Sequence, residues 1–401
     1  MAGASTKSNN RRHIHIPAEL VEKILLNLSV KSLVRFSAVS KSWNSIIYGA
    51  EFVKRYRGRE MMVLRGYHQY SDESYSNDKG LVFPLSSISS ENPVDSAIAM
   101  TWPPAPSKEE DSNNSYHVHA SCDQFWCVEL EPRSLYFYNP SNESYRKLPD
   151  PLIGISVEEA FIYGLGYDAV SNDYKMLRVD RQNYVFAELY SLTSDSWELI
   201  SEHPNPPFWT LTNCFSVSGA LHWLVHYMDP GVRILSFDLS TKRFGELSLP
   251  ERNDDVYCYL DITVLRGKFS VCMSYDLRSE LVVWVMEDYG DPKSWVKDLE
   301  IDYAHVHSIN RTSLKPFFFY NGGGDLIKAF PSPLQIRKIF LYRDDDATLE
   351  EKDFSCGTFL LDTFPYQETP LLLDSFTYVE TLVSPWQPLP ICHYHEDDVD
   401  Q

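Results

Sequence analysis

A short pattern recurs through the middle of this chain, and it constrains the fold more than any other feature. An aromatic residue ends an apolar run, a polar turn follows, and a second aromatic comes seven residues after the first. An aliphatic residue then closes the unit. The pattern reads Leu135-Tyr-Phe-Tyr138-Asn-Pro-Ser-Asn-Glu-Ser-Tyr145-Arg-Lys-Leu-Pro149. It returns as Glu188-Leu-Tyr190-Ser-Leu-Thr-Ser-Asp-Ser-Trp197-Glu-Leu-Ile200 and as Ile234-Leu-Ser-Phe237-Asp-Leu-Ser-Thr-Lys-Arg-Phe244-Gly-Glu-Leu247. A looser copy with a longer turn runs from Val282 through Trp284 to Trp295. The leading aromatics stand at 138, 190, 237 and 284, so the steps are 52, 47 and 47. A period near 50 with several strands per unit is the mark of propeller blades. Each copy reads as a hairpin, an apolar strand turning through Asn, Asp, Ser and Pro into a second strand.

Other strand pairs lie between the hairpins: Gly164 to Val179, Val217 to Leu224, and Leu265 to Val271. Joining each to the hairpin that follows predicts about four strands per repeat, which is one blade. Further on, Phe317–Leu326 reads as a strand entering the Gly322-Gly-Gly324 turn, with Ile339–Tyr342 as its partner. Tyr378–Leu382 is expected to be a last strand that closes the ring. Residues 59–391 then hold six or seven blades.

The first 58 residues read as helices. Pro17 suits a first helical turn, where a missing N–H costs nothing. Leu20, Ile24, Leu25 and Leu28 follow at helical spacing. Ser29-Val30 interrupts, and Leu33, Phe36, Val39, Trp43, Ile46 and Ile47 then form one stripe. Gly49 is a stop, and Phe52 with Tyr56 predicts a third short helix. The fold class expected is therefore α+β in two modules: a small three-helix head over 14–56 and an all-β, propeller-like body over 59–391. Residues 1–13 are expected to be disordered, and 392–401 to form an acidic tail. Charge divides the same way. Residues 1–58 carry ten Lys or Arg against three Glu, a net of +7, so a chain with net charge −20 leaves −27 on the rest. Such an acidic body argues against nucleic-acid binding. No apolar run approaches the length of a membrane span. The polar Met1–Arg12 lacks a signal core, and seven scattered cysteines fit a reducing compartment, so a cytoplasmic or nuclear location is expected.

These residues are also recognisable. Ile16-Pro17-x-Glu19-Leu20-x-x-x-Ile24-Leu25-x-x-Leu28, then Leu33, Phe36, Val39, Lys41-Ser42-Trp43 and Ile46, resembles the F-box. Ile16, Ser29 and Ser40 stand where that family usually has Leu, Pro and Cys. The resemblance implies docking on the adaptor subunit of an SCF ubiquitin ligase and, through it, on a cullin. It assigns core or adaptor-facing roles to Ile16, Pro17, Leu20, Ile24, Leu25, Leu28, Leu33, Val39 and Trp43. One sequence does not separate core from interface among them. The body resembles the plant F-box-associated domain, related to kelch-type propellers. The resemblance rests on Tyr138-Asn-Pro-Ser141, Gly164-x-Gly166-Tyr-Asp168 with Asp173-Tyr-Lys175, Asp195-Ser-Trp197, Gly219-Ala-Leu-His-Trp223 and Ile234–Asp238. Ser121–Phe125 lacks the family's Asn-Gly, and with it the usual signal for a tight turn.

No residue set reads as an enzyme centre. Gly322–Gly324 is followed by Asp325, not by the Lys-Ser/Thr of a phosphate loop. His117-x-His119 with Cys122 and Cys127, His305-x-His307, and His393-x-His395 have ligand types without a closed set. No catalytic residue, metal or cofactor is therefore expected. What remains is a surface. Polar insertions at Gln69–Asp78, Ser107–Ser115, Glu202–Trp209 and Glu251–Asp255 are expected on one rim. Phe208 and Trp209 are its candidate aromatic anchors, and Glu251, Asp254 and Asp255 its candidate acidic contacts. The expected function is that of a non-enzymatic substrate receptor holding a protein target, whose basic character an acidic body would favour. Two alternatives share the layout: a pollen S-locus F-box protein capturing basic ribonucleases, and an adaptor-free scaffold. A propeller enzyme would need a central set of carboxylates or metal ligands that the sequence does not offer.

Overall fold

The computed structural model describes residues 16–56, 58–69, 75–84, 98–100, 102–103, 116–130, 134–153, 161–180, 186–200, 208–210, 214–227, 231–251, 258–265, 267–275, 278–302, 304, 318–319, 325–329, 338–343, 348–353, 371–379 and 381–382. The boundary between two compact units falls between Gly58 and Arg59.

The head holds α1 (Ala18–Leu25), α2 (Val30–Ser37), α3 (Lys41–Ile47) and α4 (Ala50–Arg55). The stripe expected as one second helix is thus two helices, and Ser40 is the reason. Its backbone is extended (φ −157°, ψ 155°), and its hydroxyl accepts the Trp43 N–H at 3.1 Å. Ser29 does the same for α2, accepting from Ser32 N–H at 3.3 Å. Both departures from the family pattern therefore serve as N-caps. Val21, Leu25, Val30, Leu33, Ile47, Phe52 and Tyr56 are buried between the helices. The Tyr56 hydroxyl donates to the Leu28 carbonyl at 2.8 Å, and Arg55 pairs with Glu22 at 2.5 Å, so α4 is tied back to α1.

The second unit is a series of antiparallel sheets. The first contains β1 (Glu60–Gln69), β2 (Tyr75–Pro84) and β3 (Ile98–Ala99). The second is β4 (Tyr116–Cys122), β5 (Phe125–Leu130), β6 (Ser134–Asn139) and β7 (Ser144–Lys147). The third is β8 (Phe161–Asp168), β9 (Asp173–Asp180), β10 (Ala187–Ser191) and β11 (Ser196–Ile200). In the fourth, β12 (Phe208–Thr210) and β13 (Phe215–Val217) share one edge of β14 (Ala220–Tyr227), which continues to β15 (Val232–Asp238) and β16 (Arg243–Leu247). The fifth is β17 (Tyr259–Leu265), β18 (Lys268–Tyr275), β19 (Glu280–Met286) and β20 (Trp295–Asp302). The sixth is β21 (Phe318–Phe319), β22 (Asp325–Ala329), β23 (Lys338–Arg343) and β24 (Thr348–Asp353). Finally β25 (Leu371–Val379) returns to the first sheet and pairs along β1, from Val379 opposite Glu60 to Leu371 opposite Tyr67. It takes the place that the first strand holds in the other sheets. Six sheets are present among the described residues, the lower of the two expected numbers. The closing strand begins earlier than expected. Beyond it, Thr381 N–H donates to Ser141 Oγ of the second sheet at 3.1 Å.

The seven-residue spacing has a direct cause. Tyr138 faces Tyr145, Tyr190 faces Trp197 and Phe237 faces Phe244 across their hairpins. Such cross-strand aromatic pairs are a main source of sheet stability. The looser copy departs from this. Its turn is longer and carries a 3-10 segment at Pro292–Ser294, so Trp295 faces Met286 instead of Trp284; a bulge after Val283 lies farther from the turn.

Successive sheets join through their first strands and through repeated polar links. β4 lies against β8, β8 against β13, β13 against β17, and β17 against β21. Gly164 and Gly166 make one of these approaches feasible. A Cβ on Gly164 would stand 2.6 Å from the Trp223 ring, and one on Gly166 2.7 Å from Ser216 Oγ. Trp197 Nε1 donates to the Pro149 carbonyl at 2.9 Å, and Trp295 Nε1 to the Ser248 carbonyl at 3.0 Å. In both cases the fourth strand of one sheet reaches back to the end of the previous sheet. Arg146 crosses the other way to Asp195 at 2.5 Å.

An even number of strands returns the chain to the rim where it entered. Turns between first and second strands, and between third and fourth, therefore share one rim, the turn rim. The second-to-third turns and the connectors between sheets share the other, the connector rim. The turns of this rim in the second, third and fourth sheets are tight. Asp123, Glu143, Asn172, Asp195, Ser218 and Lys242 all take left-handed backbone conformations there. Asp123 shows why the turn at Ser121–Phe125 forms without Asn-Gly: Asp is among the few residues that tolerate φ 50°. Asp238 accepts from both the N–H and the hydroxyl of Ser240 and of Thr241. Burial raises its pKa, but these donors outweigh that and hold its carboxyl below the usual range.

One link between sheets is titratable. The buried His222 has Nδ1 3.3 Å from the Phe215 carbonyl and Nε2 2.8 Å from the Tyr289 hydroxyl. A carbonyl only accepts, so Nδ1 carries the proton and Nε2 accepts from Tyr289. Burial pushes His222 down to about 4, against a partial upward pull from the Phe215 carbonyl.

Two outcomes follow. A chain ending before Leu371 leaves β1 with an unpaired edge. It should lose cooperative thermal unfolding in circular dichroism and aggregate. An unchanged transition would refute closure by β25. For His222, the unfolded chain takes up its proton first as pH falls from 6.5, so its contribution is complete above 6.5 and lost towards pH 4. Urea unfolding of the wild type at pH 7.5 and 4.5 should differ from that of His222→Gln by about 3 kcal/mol in pH dependence. Equal pH dependence in both proteins would refute the assignment.

Candidate interaction surfaces

In the head, helical spacing sorts the apolar side chains into two sets. Ile16, Leu20 and Ile24, four residues apart, are 50%, 51% and 56% exposed. They form one apolar stripe beside α1. Val39, after α2, is 64% exposed, and Phe36 is exposed as well. Apolar side chains grouped in this way mark interaction surfaces. Leu25 and Leu33 point the other way and are buried in the head's own core. Pro17 is exposed, and Leu28 and Trp43 are half-buried. The Trp43 ring meets Phe36 edge-on, with centroids 5.6 Å apart. Of the nine residues singled out in the sequence, then, the structure exposes Ile16, Pro17, Leu20, Ile24 and Val39. It adds Phe36, which the sequence placed on the stripe and in the F-box pattern but not among those nine.

On the body, most of the four insertions singled out in the sequence lies outside the described residues, but the strand ends that flank them share one rim. Residues 70–74 join β1 to β2, 104–115 precede β4, 201–207 precede β12, and 251–257 lead towards β17. Each junction belongs to the connector rim. Phe208 and Trp209 are not on a free loop. Their backbones form β12, paired with Tyr227 and His226 inside the fourth sheet. Glu251 is exposed beyond β16, and Asp254 and Asp255 lie outside the described residues, as do His305, His307, His393 and His395.

His119, noted in the sequence for its ligand type, belongs to a polar cluster of the second and third sheets whose other members, Glu129, Tyr163, Arg178 and Glu188, sequence reasoning missed. His119 Nε2 is 2.5 Å from Glu129 Oε2, and the His119 ring is 4.2 Å from that of Tyr163. Burial first, then the charge of Glu129, pushes the Tyr163 phenol well above its usual range. Behind Tyr163, Arg178 pairs with Glu188 at 2.6 Å, and both side chains are 0% exposed. The one signal was a charged residue inside the apolar strand Met176–Val179. Cys127, beside this cluster, is buried, and burial raises its thiol pKa well above normal, which leaves it poorly reactive. Among the described residues no three His, Cys, Asp or Glu side chains gather as metal ligands, and no helix is long and apolar enough to cross a membrane.

A helical head with an exposed apolar stripe, followed by a ring of four-stranded sheets, is the layout of the substrate-adaptor subunits of SCF ubiquitin ligases. Residues 14–55 match the F-box domain, and 77–385 match the F-box associated beta propeller domain. The chain belongs to that family of plant F-box proteins. It is 26% identical to the Arabidopsis thaliana F-box protein At3g16210, over 84% of this chain and 92% of the relative. It is 26% identical to the F-box/kelch-repeat protein At3g23880 of the same plant, over 72% and 79%. It is 28% identical to the Arabidopsis thaliana F-box protein CPR1, over 70% and 72%.

The division of the head is testable without a partner. Leu33→Ala should destabilise the head by about 3 kcal/mol, since it leaves a cavity. Ile24→Ala should change stability by less than about 0.5 kcal/mol. Chemical unfolding followed by helical circular dichroism distinguishes them, and equal losses would contradict the sorting.

Proposed function

We propose that this chain is the substrate-recognition subunit of an SCF-type ubiquitin ligase. The head docks the adaptor, and the ring captures a protein target for ubiquitination and degradation. The observation that carries this reading is the stripe Ile16, Leu20 and Ile24. Apolar surface held in water is unfavourable by roughly 25 cal/mol per Å², and a partner that covers it recovers that energy. Val39 and Phe36 extend the same apolar character of the head. On the body, the four insertions singled out in the sequence join strand ends at the connector rim, while described turns of the other rim are pinned by hydrogen bonds. Sequence can therefore vary at one rim without disturbing the sheets. Rate enhancement in such a subunit comes from raised local concentration and orientation of the target, with the chemistry left to other subunits. The acidic body favours a basic target by speeding encounter.

Co-expression with a plant SCF adaptor, followed by size exclusion with light scattering, tests the docking. A 1:1 complex is expected. Leu20→Asp with Ile24→Asp should weaken it at least about 100-fold, and the head should stay folded, because both side chains are already exposed. A complex that survives the double substitution, or a folded wild type that forms none, would defeat the reading.

A further inference from the structure

The exposed stripe Ile16, Leu20 and Ile24 lies among basic side chains. Lys23 adjoins Ile24, Arg35 adjoins Phe36 and Lys41 opens α3, and all three are exposed. Residues 16–56 carry six Lys or Arg against three Glu, a net of +3. Apolar surface left in water is unfavourable, and the segment best matched to this face is both apolar and acidic.

The chain itself holds such a segment. Residues 383–401 lie outside the described residues, and their sequence has no Lys or Arg. Glu396, Asp397, Asp398 and Asp400 give them a charge of −4, and Ile391, Tyr394 and Val399 precede or interrupt these acids. The tether of this segment starts close to the head along the chain. Val379, which ends β25, faces Glu60, and antiparallel partners stand about 5 Å apart. Glu60 is only four residues beyond Tyr56, which is buried in the head's own core. Residues 383 to 401 can span about 60 Å, whereas a unit the size of the head has a radius of gyration of about 9 Å. A linker of this length also holds its end at roughly millimolar effective concentration, so a weak contact suffices.

We propose that residues 391–400 cover the stripe Ile16, Leu20 and Ile24 when no adaptor is bound, with the four carboxylates towards the basic side chains. The adaptor must then displace them. The competition rests on the adaptor-docking reading above, and the cover itself does not.

The test compares the full chain, a chain ending at Leu382, and a full-length variant with Glu396→Gln, Asp397→Asn, Asp398→Asn and Asp400→Asn. The shorter chain keeps β25 and the Thr381 bond to Ser141, so its thermal transition should match that of the wild type. Without adaptor, hydrogen–deuterium exchange in peptides spanning 16–28 should be about tenfold slower in the wild type than in either variant. Salt at about 1 M should abolish the difference. Equal exchange in all three proteins overturns the proposal. Protection that grows with protein concentration also overturns it, in favour of the same segment from a second copy. With a plant SCF adaptor added, both variants should bind about tenfold more tightly than the wild type. Slower exchange with equal adaptor affinity overturns the competition. If none of the three proteins binds the adaptor, the docking reading fails, and exchange alone still decides whether the segment covers the stripe.

Discussion

The antiparallel ladder between β1 and β25 is the constraint on which the body depends. The middle strands of the second to fifth sheets, β5, β9, β14 and β18 among them, bury side chains on both faces, so each of these sheets needs a neighbour on either side. Met61, Val63 and Val82 of the first sheet pack with Val118, Trp126, Val128 and Tyr138 of the second. A row of such sheets would end in two uncovered faces, and a ring has none. The first sheet is built from strands near opposite ends of the domain, so the ring closes only when the chain is nearly complete. Contacts of such long sequence separation are slow to form, but once made they leave no open end from which the ring can fray.

Closure also explains the difference between the rims. Neighbouring sheets must keep a fixed angle, and the turn rim supplies much of that control. Asp168 accepts from Val170 N–H, Ser171 Oγ and Lys175 Nζ, and Lys175 reaches the Leu239 carbonyl of the next sheet at 3.2 Å. Tyr174 donates to Asp123 of the previous sheet at 2.8 Å. With turns and sheets locked from this side, the connector rim is free to carry long and varied segments. The head follows the opposite principle. Its core is small, its helices are short, and a share of its apolar side chains faces outward. One unit thus spends its apolar residues inward to build a rigid frame, and the other keeps some of them for a partner.

Much of the body was legible in the sequence because the aromatic spacing is itself a physical contact. Tyr138 and Tyr145 stand seven apart because they face one another across a hairpin. The same holds for Tyr190 with Trp197 and for Phe237 with Phe244. The reading failed where local pattern and local geometry part company. Trp284 and Trp295 resemble another such pair, yet a longer turn shifts their register. Lys31 to Ile47 keeps helical spacing throughout, yet Ser40 caps a new helix in its midst. Phe208 and Trp209 look like a loop because prolines precede them, yet the edge of β14 accepts them as a strand.

The sequence by itself determined the two modules, the hairpin repeat and the family, because these depend on residue type and spacing along the chain. Tertiary structure alone decided which apolar residues of the head face water. Leu20, Ile24, Leu25 and Leu33 are equally apolar, and only the packing of α2, α3 and α4 makes the last two core and the first two surface. It alone decided that the closing strand is Leu371–Val379, since pairing depends on which edge is vacant after six sheets have formed. It also brought Arg178 and Glu188 together with Ile153 and Phe161. Positions that no sequence period relates become neighbours when strands fold back on one another, and their charges then act on backbone that is distant along the chain.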